Sequence, residues 1–450
     1  MKLLIKNGTI VDPFNQIHSK FNVVIENGTV VDVTESFPNC DEVIDATGKY
    51  VCPGFIDIHM HEEKYDEHTD SMKQDITLSM LKMGVTTAFG GNCGTSTVNP
   101  IHLLDIVDRD GCAVNMGMFA GHSYYREKAG ALDKYAEVTD EQLAKIVETM
   151  EEDLDKGCFG ISFGIRYVPG INERELYEVS KLCQKDNKLI SAHVRDDAEF
   201  IFSAMDELIN VGKELNIPVQ VSHIGSMGGF GQMGRVLEKI EKTSNEGYDI
   251  TADCYPYYAF STGIGETTYD EGFLERYDAD YSCIEFCEGK YKGQRATKDS
   301  FDDMRKNAPD TLTVCYVMKP EDVDMALAHP LVMLASDGLR SDGQGHPRAA
   351  GSFPRLIDKF VKTGKISLDD AIAKMTSMPS VKLGLKNKGY LGIGADADIV
   401  IFDLEKIEDK ATFEEPLLAP EGIDCVIIGG EVAYKDGEVV NNKLGKAIRK

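Results

Sequence analysis

The sequence predicts an α/β protein: a (β/α)8 TIM-like barrel with a small β-sandwich domain built from both termini. Three observations lead there. The middle of the chain alternates short apolar runs with helix-period segments over roughly 300 residues, the pattern of a parallel barrel. Both ends are rich in strand patterns and turn dipeptides. Side chains able to bind metal stand at the ends of several of the apolar runs, where barrel enzymes place their chemistry. A doubly wound sheet is the alternative for the middle. The expected boundaries are 1–53 and 385–450 for the two parts of the small domain, and 54–384 for the barrel.

At the N-terminus, Lys2–Val11 and Phe21–Val33 read as strands, and Asn7-Gly8 and Asn27-Gly28 supply turn chemistry. The opening residues have no long apolar stretch and no small-residue cleavage site, so they read as a strand and not as a signal peptide. Eight barrel strands follow: Gly54–His59, Val85–Gly90, Ala113–Ala120, Phe159–Phe163, Lys188–Ala192, Pro218–Ser222, Asp249–Asp253 and Leu331–Ser336. Helices are expected over Asp140–Lys156, Glu173–Lys185 and Ala198–Leu215; Thr139 with Gln142 forms a capping box for the first. The acidic stretch Gly263–Asp310 is weakly patterned and reads as a lid or a decorated loop between the last two strands. The chain closes with a strand over Ala397–Phe402 and a hairpin over Cys425–Val440 turning at Gly429-Gly430, with a second turn signal at Asp436-Gly437.

Composition narrows the function. With 48 basic and 75 acidic residues the formal charge is −27, which argues against a nucleic-acid binder and against docking on anionic lipid. No apolar run is long enough to span a bilayer. Eleven cysteines, an odd number scattered through a long chain, indicate reduced thiols and a cytoplasmic location. The expected partner is a small-molecule substrate, and the oligomeric state stays open.

His59 and His61 end the first barrel strand, two residues apart and therefore on one face. Cys93 follows the second strand, His193 and His223 end the fifth and sixth, and Asp337 ends the eighth. Each alone has an ordinary structural explanation. Together they place ligand-type side chains at five strand ends around one rim, and this N/S/O mix suits zinc. Six ligands exceed one tetrahedral site with an open position. Two metals sharing a thiolate, or one metal with the other residues in catalytic roles, both satisfy the set.

The motifs PGFIDIHMH, GNCG, AGHSYYR, GISFGIRYVPG, HVRDD, VSH, DCYPYYAFST, ASDG and HPR resemble the amidohydrolase superfamily, and within it the N-acyl-D-amino-acid deacylase (D-aminoacylase) group, over nearly the whole chain. Many members bridge two metals with a modified lysine on the fourth strand. Here Gly160-Ile161-Ser162-Phe163 offers none, and the Cys of GNCG is the bridging ligand of the deacylase group. The resemblance implies a tighter zinc on Cys93, His193 and His223. It implies a possible second, weaker site on His59, His61 and Asp337 with Cys93 shared. Asp337 takes the role of general acid/base. Tyr167, Tyr255, Ser261 and Arg348 match substrate-pocket positions, with Arg195 a further candidate. Where the family commonly has a carboxylate-binding lysine this chain has Gly225, leaving Arg348 as leading receiver, with Arg195 and Arg166 behind it. The implied reaction is zinc-dependent deacylation of an N-acyl-D-amino acid to a carboxylate and a free D-amino acid. A cyclic-amide hydrolase of the hydantoinase or dihydroorotase type is the alternative, disfavoured by the missing lysine. A non-catalytic scaffold that kept the fold is a further alternative, disfavoured because no ligand is lost.

Overall fold

The structure is a computed structural model that describes residues 2–340 and 345–450. Its centre is a barrel of parallel strands: β1 (Phe55–Asp57), β2 (Val85–Gly90), β3 (Asn115–Met118, continued by Ala120–Gly121), β4 (Gly160–Gly164), β5 (Leu189–His193), β6 (Val219–Val221), β7 (Ile250–Cys254) and β8 (Val332–Leu334). Neighbours pair in register, for example Ile161 with Ile190, Ile190 with Val219 and Ala252 with Val332. The ring closes between β8 and β1 just beyond the strand ends. Asp337 N donates to His59 O (2.8 Å) and His61 N donates to Gly338 O (3.0 Å). The closing bonds therefore involve three of the candidate ligands.

Barrel strands are covered by helices outside and side chains inside, so they read as unbroken apolar or small-residue runs. The helix Asp140–Asp155 starts where expected: Gln142 N donates to Thr139 Oγ1 (3.2 Å) and Gln142 Oε1 accepts from Thr139 N (3.0 Å). The other two expected helices each change pitch. Glu173–Ser180 tightens into a 3-10 turn over Lys181–Gln184, and the helix Ile201–Leu215 is preceded by one over Ala198–Phe200. Below the site the interior is plugged by Ile56, Ile58, Phe89, Phe119, Phe159, Leu189 and Met333. The chain's last residues run along the underside, with Gly445 N bonded to Cys112 O and Ile448 N to Met116 O.

The termini meet in one continuous sheet. Lys2–Asp12 pairs antiparallel with Ile17–Glu26, which pairs with Thr29–Thr34. On its other side its first half runs parallel to Glu42–Asp45 and its second half to Tyr50–Pro53. That switch of partner carries the strand across both layers of the sandwich. Tyr50–Pro53 in turn pairs with Ile399–Phe402, which leads to Ile423–Ile428 and Glu431–Lys435. Leu3, Ile5, Val23, Val51, Ile399 and Ile427 fill the space between the layers.

Three of the four dipeptide turns appear as expected. Asn27-Gly28, Gly429-Gly430 and Asp436-Gly437 all have positive φ at both residues, as a two-residue hairpin turn requires. Asn7-Gly8 differs. It lies inside the first strand as a bulge, with Asn7 at φ 65° and a register shift between Ile5 and Gly8. A Cβ at Gly8 would fall 2.4 Å from Val51 Cγ2, so close packing explains the glycine.

The stretch between β7 and β8 is not a plain loop. Phe260–Gly263, Ile284–Phe286 and Leu312–Cys315 form an antiparallel sheet, and the helices Phe273–Tyr277 and Lys298–Asn307 lie between its strands. Its first residues line the cavity described next. Among the described residues, no helix is long and apolar enough to cross a membrane.

Candidate metal centre and active site

The six predicted ligands converge at the C-terminal rim. Two groups of ligand atoms form, each with all members within 4.8 Å of one another: His59, His61, Cys93 and Asp337, and Cys93, His193 and His223. Cys93 belongs to both. Its Sγ lies 3.4 Å from His59 Nε2, 3.3 Å from His223 Nε2 and 4.0 Å from His193 Nδ1. Asp337 Oδ1 is 3.1 Å from His61 Nε2 and 3.5 Å from His59 Nε2.

Local chain geometry explains how Cys93 reaches this position. In GGNCG, Gly91, Cys93 and Gly94 all have positive φ (77°, 52° and 76°). A Cβ at Gly91 would collide with Phe119 O at 2.2 Å, and one at Gly94 with Gly164 N at 2.6 Å, so only glycine fits either side of the turn. Asn92 Nδ2 donates to Phe89 O (2.9 Å), and Ser162 accepts from Gly94 N (3.0 Å) while donating to Gly91 O. The fourth strand thus supplies no ligand; its Ser162 buttresses the turn that raises the thiol. His223 (φ 33°) and Asp337 (φ 48°) are also left-handed, an arrangement non-glycine residues keep only where surrounding structure holds it.

Asp253, on β7, was not singled out from the sequence. It is buried, and its Oδ1 accepts from His223 N (2.7 Å) and faces His59 Nδ1 at 3.4 Å. Its Oδ2 accepts from Gln220 Nε2 (2.8 Å). Asp253 thus holds the backbone of His223 and faces the outer ring nitrogen of His59, while Ser226 Oγ lies 3.0 Å from His223 Nδ1; in both rings the Nε2 is left turned to the thiol, as partners behind metal-binding imidazoles leave it. A polar residue at the end of a buried strand was the signal available for it.

The electrostatics match a site for cations. Burial opposes ionisation of the Cys93 thiol, but His223 and His59 overcome it and hold the thiol well below its usual range. Burial likewise opposes charge on Asp337, and Arg348 with His223 outweighs it and keeps the carboxyl well below the usual carboxylate range. Burial disfavours a proton on His61, yet the bond to Asp337 and the Cys93 thiolate push it up to about 9. Burial and the neighbouring His223 hold His193 at about 4. A thiolate and a carboxylate sharing a buried pocket require positive charge, and the same imidazole nitrogens that supply it as protons are metal donors. The donor set of imidazole, thiolate and carboxylate suits zinc.

Above the ligands lies a cavity with two lobes. A narrow inner lobe and a roomier outer one share Tyr167, His223, Ser261, Thr262, Asp337 and Arg348. Tyr167 meets the His193 ring edge-on at 4.5 Å. Tyr255 lines the inner lobe, with the Arg348 guanidinium 4.7 Å above its ring. Arg348 is buried, and its Nη1 lies 2.7 Å from Asp337 Oδ2. Its Nη2 makes a 3.4 Å bond to Ser261 O, and its Nε has no hydrogen-bond partner.

Other predicted residues sit elsewhere. Arg195 lines neither lobe: it grips Glu207 (2.6 and 2.9 Å) and donates to the carbonyls of Pro169 and Ile171, tying the loop after β4 to the helix after β5. Arg166 pairs with Asp196 (2.9 Å). The histidine of AGHSYYR, His122, is fully buried beside Glu175 (3.1 Å), which Arg126 also binds, away from both lobes. Gly225 does not face the cavity. A Cβ there would meet Cys254 Sγ at 2.8 Å and Met318 at 3.3 Å, against β7 and its following loop. Its glycine is explained by packing, and the neighbouring Ser226 is the residue that reaches the inner lobe.

A (β/α)8 barrel with imidazole, thiolate and carboxylate groups converging at its C-terminal rim defines the metal-dependent hydrolase class. The chain belongs to the amidohydrolase family, whose pattern matches residues 50–220 and 321–433. Among curated proteins it is 30% identical to the D-aminoacylase of Alcaligenes xylosoxydans xylosoxydans, covering 99% of this chain and 97% of that one. It is also 30% identical to the N-acyl-D-aspartate deacylase of the same organism, over 88% and 84% of the two chains. A crystal structure of D-aminoacylase superposes with a TM-score of 0.89 at 26% identity, covering 100% of this chain and 99% of the other. Another D-aminoacylase structure, described for its binuclear metal center, gives 0.88 at 27% identity over the same shares.

Proposed function

We propose that the protein is a zinc-dependent deacylase of N-acyl-D-amino acids, releasing a carboxylate and a free D-amino acid. The observation that carries this reading is the Cys93 thiol shared by two ligand groups beside a buried arginine. Cys93, His193 and His223 would hold the tighter zinc, and His59, His61 and Asp337 with Cys93 would offer a second, weaker site. Zinc in such a centre supplies Lewis acidity toward the amide carbonyl and an activated water. Asp337, kept as a carboxylate by Arg348, accepts a proton at Oδ1 or Oδ2 and passes it to the leaving nitrogen. Arg348 receives the substrate α-carboxylate through its unpartnered Nε and the weakly bonded Nη2, while Tyr167, Tyr255 and Ser261 wall the substrate in. A buried carboxylate needs such a partner.

The cysteines are all free and the chain is strongly acidic, which supports a cytoplasmic enzyme acting on small molecules rather than nucleic acid. The test is hydrolysis of paired N-acetyl-D- and N-acetyl-L-amino acids, with hydantoin and dihydroorotate alongside, by enzyme whose zinc content has been measured. Turnover confined to linear D substrates is the expected result. Turnover of the cyclic amides alone refutes the reading.

A further inference from the structure

One of the eleven cysteines, Cys93, is a candidate metal ligand. Burial pushes most of the others up: Cys287 and Cys425 to about 12, and Cys112 and Cys254 above the usual thiol range. Cys93 and Cys283 go the other way and are held below it. The metal centre explains the first. It does not explain Cys283, which lies in the insertion between β7 and β8 and lines neither lobe of the cavity.

The neighbours of Cys283 account for it. Its Sγ lies 3.6 Å from Cys315 Sγ. The Cys315 S–H bonded to it, helped by Arg295, outweighs burial and the nearby Asp280; Arg295 Nη1 also donates to the Cys283 carbonyl (3.4 Å). Burial and the same sulfur contact push Cys315 up. One sulfur is thus prepared as a thiolate beside another that keeps its proton. Exposure differs in the same sense: Cys283 is half-buried and Cys315 fully buried, so a small oxidant meets Cys283 first.

The backbone holds the two sulfurs together. Leu312–Cys315 is the central strand of the insertion's sheet, with Ile284 opposite Cys315 on one side and Phe260 opposite it on the other. Tyr316 N donates to the Cys283 carbonyl (2.9 Å). Cys283 and Cys315 are therefore one step apart across a hydrogen-bonded pair, within the Cα separation a disulfide spans. Sulfur movement of about 1.5 Å turns the contact into a bond.

We propose that Cys283 and Cys315 are a peroxide-reactive dithiol: a hydroperoxide oxidises Cys283, Cys315 closes a disulfide onto it, and the bond staples the sheet that carries the cavity wall. The Cys283 thiolate attacks one peroxide oxygen, the O–O bond breaks, and the departing hydroxide takes a proton to become water. The Cys315 thiol then loses its proton and displaces hydroxide from the sulfenic acid, forming the S–S bond and a second water. Two thiols and one hydrogen peroxide give one disulfide and two waters. On the far side of the stapled strand, Phe260, Ser261 and Thr262 line the cavity and pair with Cys315, Val314 and Thr313. Joining 283 to 315 restrains the chain between them when it opens, which favours the closed sheet. This chemistry stands whichever amide the enzyme cleaves.

The test treats zinc-loaded enzyme with hydrogen peroxide, alkylates the remaining thiols and maps peptides by mass spectrometry before and after dithiothreitol. The expected product is a Cys283–Cys315 disulfide, two hydrogens lighter than the dithiol and opened by dithiothreitol; Cys287→Ser forms it as well. In Cys315→Ser oxidation stops at a sulfenic acid on Cys283, which dimedone traps, and Cys283→Ser leaves Cys315 unoxidised. Trypsin reports the staple: cleavage after the exposed Lys290 and Lys292 slows about tenfold or more in the oxidised enzyme, and dithiothreitol restores it. Both thiols recovered alkylated after a peroxide dose that oxidises free cysteine, or either one paired with Cys287, overturns the proposal. That map uses wild-type enzyme, so it decides the pairing even where a serine variant fails to fold. Dimedone capture at Cys315 in place of Cys283 overturns the assigned order of attack, and equal trypsin rates overturn the stapling.

Discussion

Replacing Arg348 by Met tests the proposed carboxylate receiver most directly. The substitution keeps much of the side-chain length but removes every donor. Two hydrogen bonds from a guanidinium to a carboxylate contribute roughly 1.5–3 kcal/mol each. Their loss predicts that kcat/KM for an N-acetyl-D-amino acid falls about 10²–10⁴-fold, at about 1.4 kcal/mol per decade. The structure adds a second effect. Arg348 is also the ion-pair partner of Asp337 at 2.7 Å, and removing one member of a buried pair leaves the other uncompensated. The α-amide of the same substrate, which lacks the carboxylate, should therefore also lose activity, by about tenfold. The informative quantity is the acid-to-amide ratio of kcat/KM, which should drop about 100-fold in Arg348→Met. Steady-state assays on both substrates at saturating zinc measure it. An unchanged ratio, with both substrates suffering equally, would show that Arg348 acts only on Asp337.

Three further predictions follow from the site and its scaffold. Cys93→Ala should weaken zinc binding about 10²–10³-fold, read by elemental analysis after dialysis, because both ligand groups lose their shared member; the half-buried Cys40→Ala should keep full zinc, and fully buried Cys183→Ala should keep zinc while losing roughly 1 kcal/mol of stability. Asp337→Asn should retain the zinc held by Cys93, His193 and His223 while turnover falls on the order of 10²–10⁴-fold, and near-normal turnover would remove the proton-transfer role. Burial lowers the Lys374 ammonium from 10.5 to about 8 below β8, where its Nζ donates to the carbonyls of His329 and Val332. Below about pH 8 this lysine is charged in both states and the folded form carries the cost; between 8 and 10.5 only the unfolded form binds the proton, so stability rises with pH. Urea unfolding should show wild type gaining up to about 3 kcal/mol on Lys374→Met across that window, and parallel pH curves would contradict it.

Much of the molecule was legible from residue order because the relevant constraints are local. A strand ending in His-x-His fixes two imidazoles on one face whatever surrounds it, and His59 and His61 both reach Asp337. A hairpin glycine pair such as Gly429-Gly430 is demanded by backbone sterics alone. The periodic alternation of β1 to β8 with helices specifies parallel strands joined by crossovers, while the choice of a closed barrel over a doubly wound sheet is made by the bonds between the ends of β8 and β1. Asn7-Gly8 carries the same local signal as the true turns, and only the pairing of Ile17–Glu26 with the strand on both sides of it makes it a bulge. Guanidinium groups were the least legible. Arg195 and Arg348 both follow ligand motifs, but Glu207 and two carbonyls claim the first while the second lies beside Asp337.

The sequence by itself determined which residue types stand at the strand ends, and so the chemistry open to the site, because side-chain identity and strand alternation need no knowledge of distant neighbours. The tertiary structure decided the rest. It brought a thiol from β2's turn between imidazoles from β1, β5 and β6, and placed Asp253 behind His59 and Ser226 behind His223. It turned position 225 toward Cys254 and away from the cavity, and folded Gly263–Asp310 into the sheet and helices between β7 and β8. The physical reason is the same throughout: direction and partnership of a side chain depend on contacts between segments far apart in the chain, and those are settled only when the barrel closes.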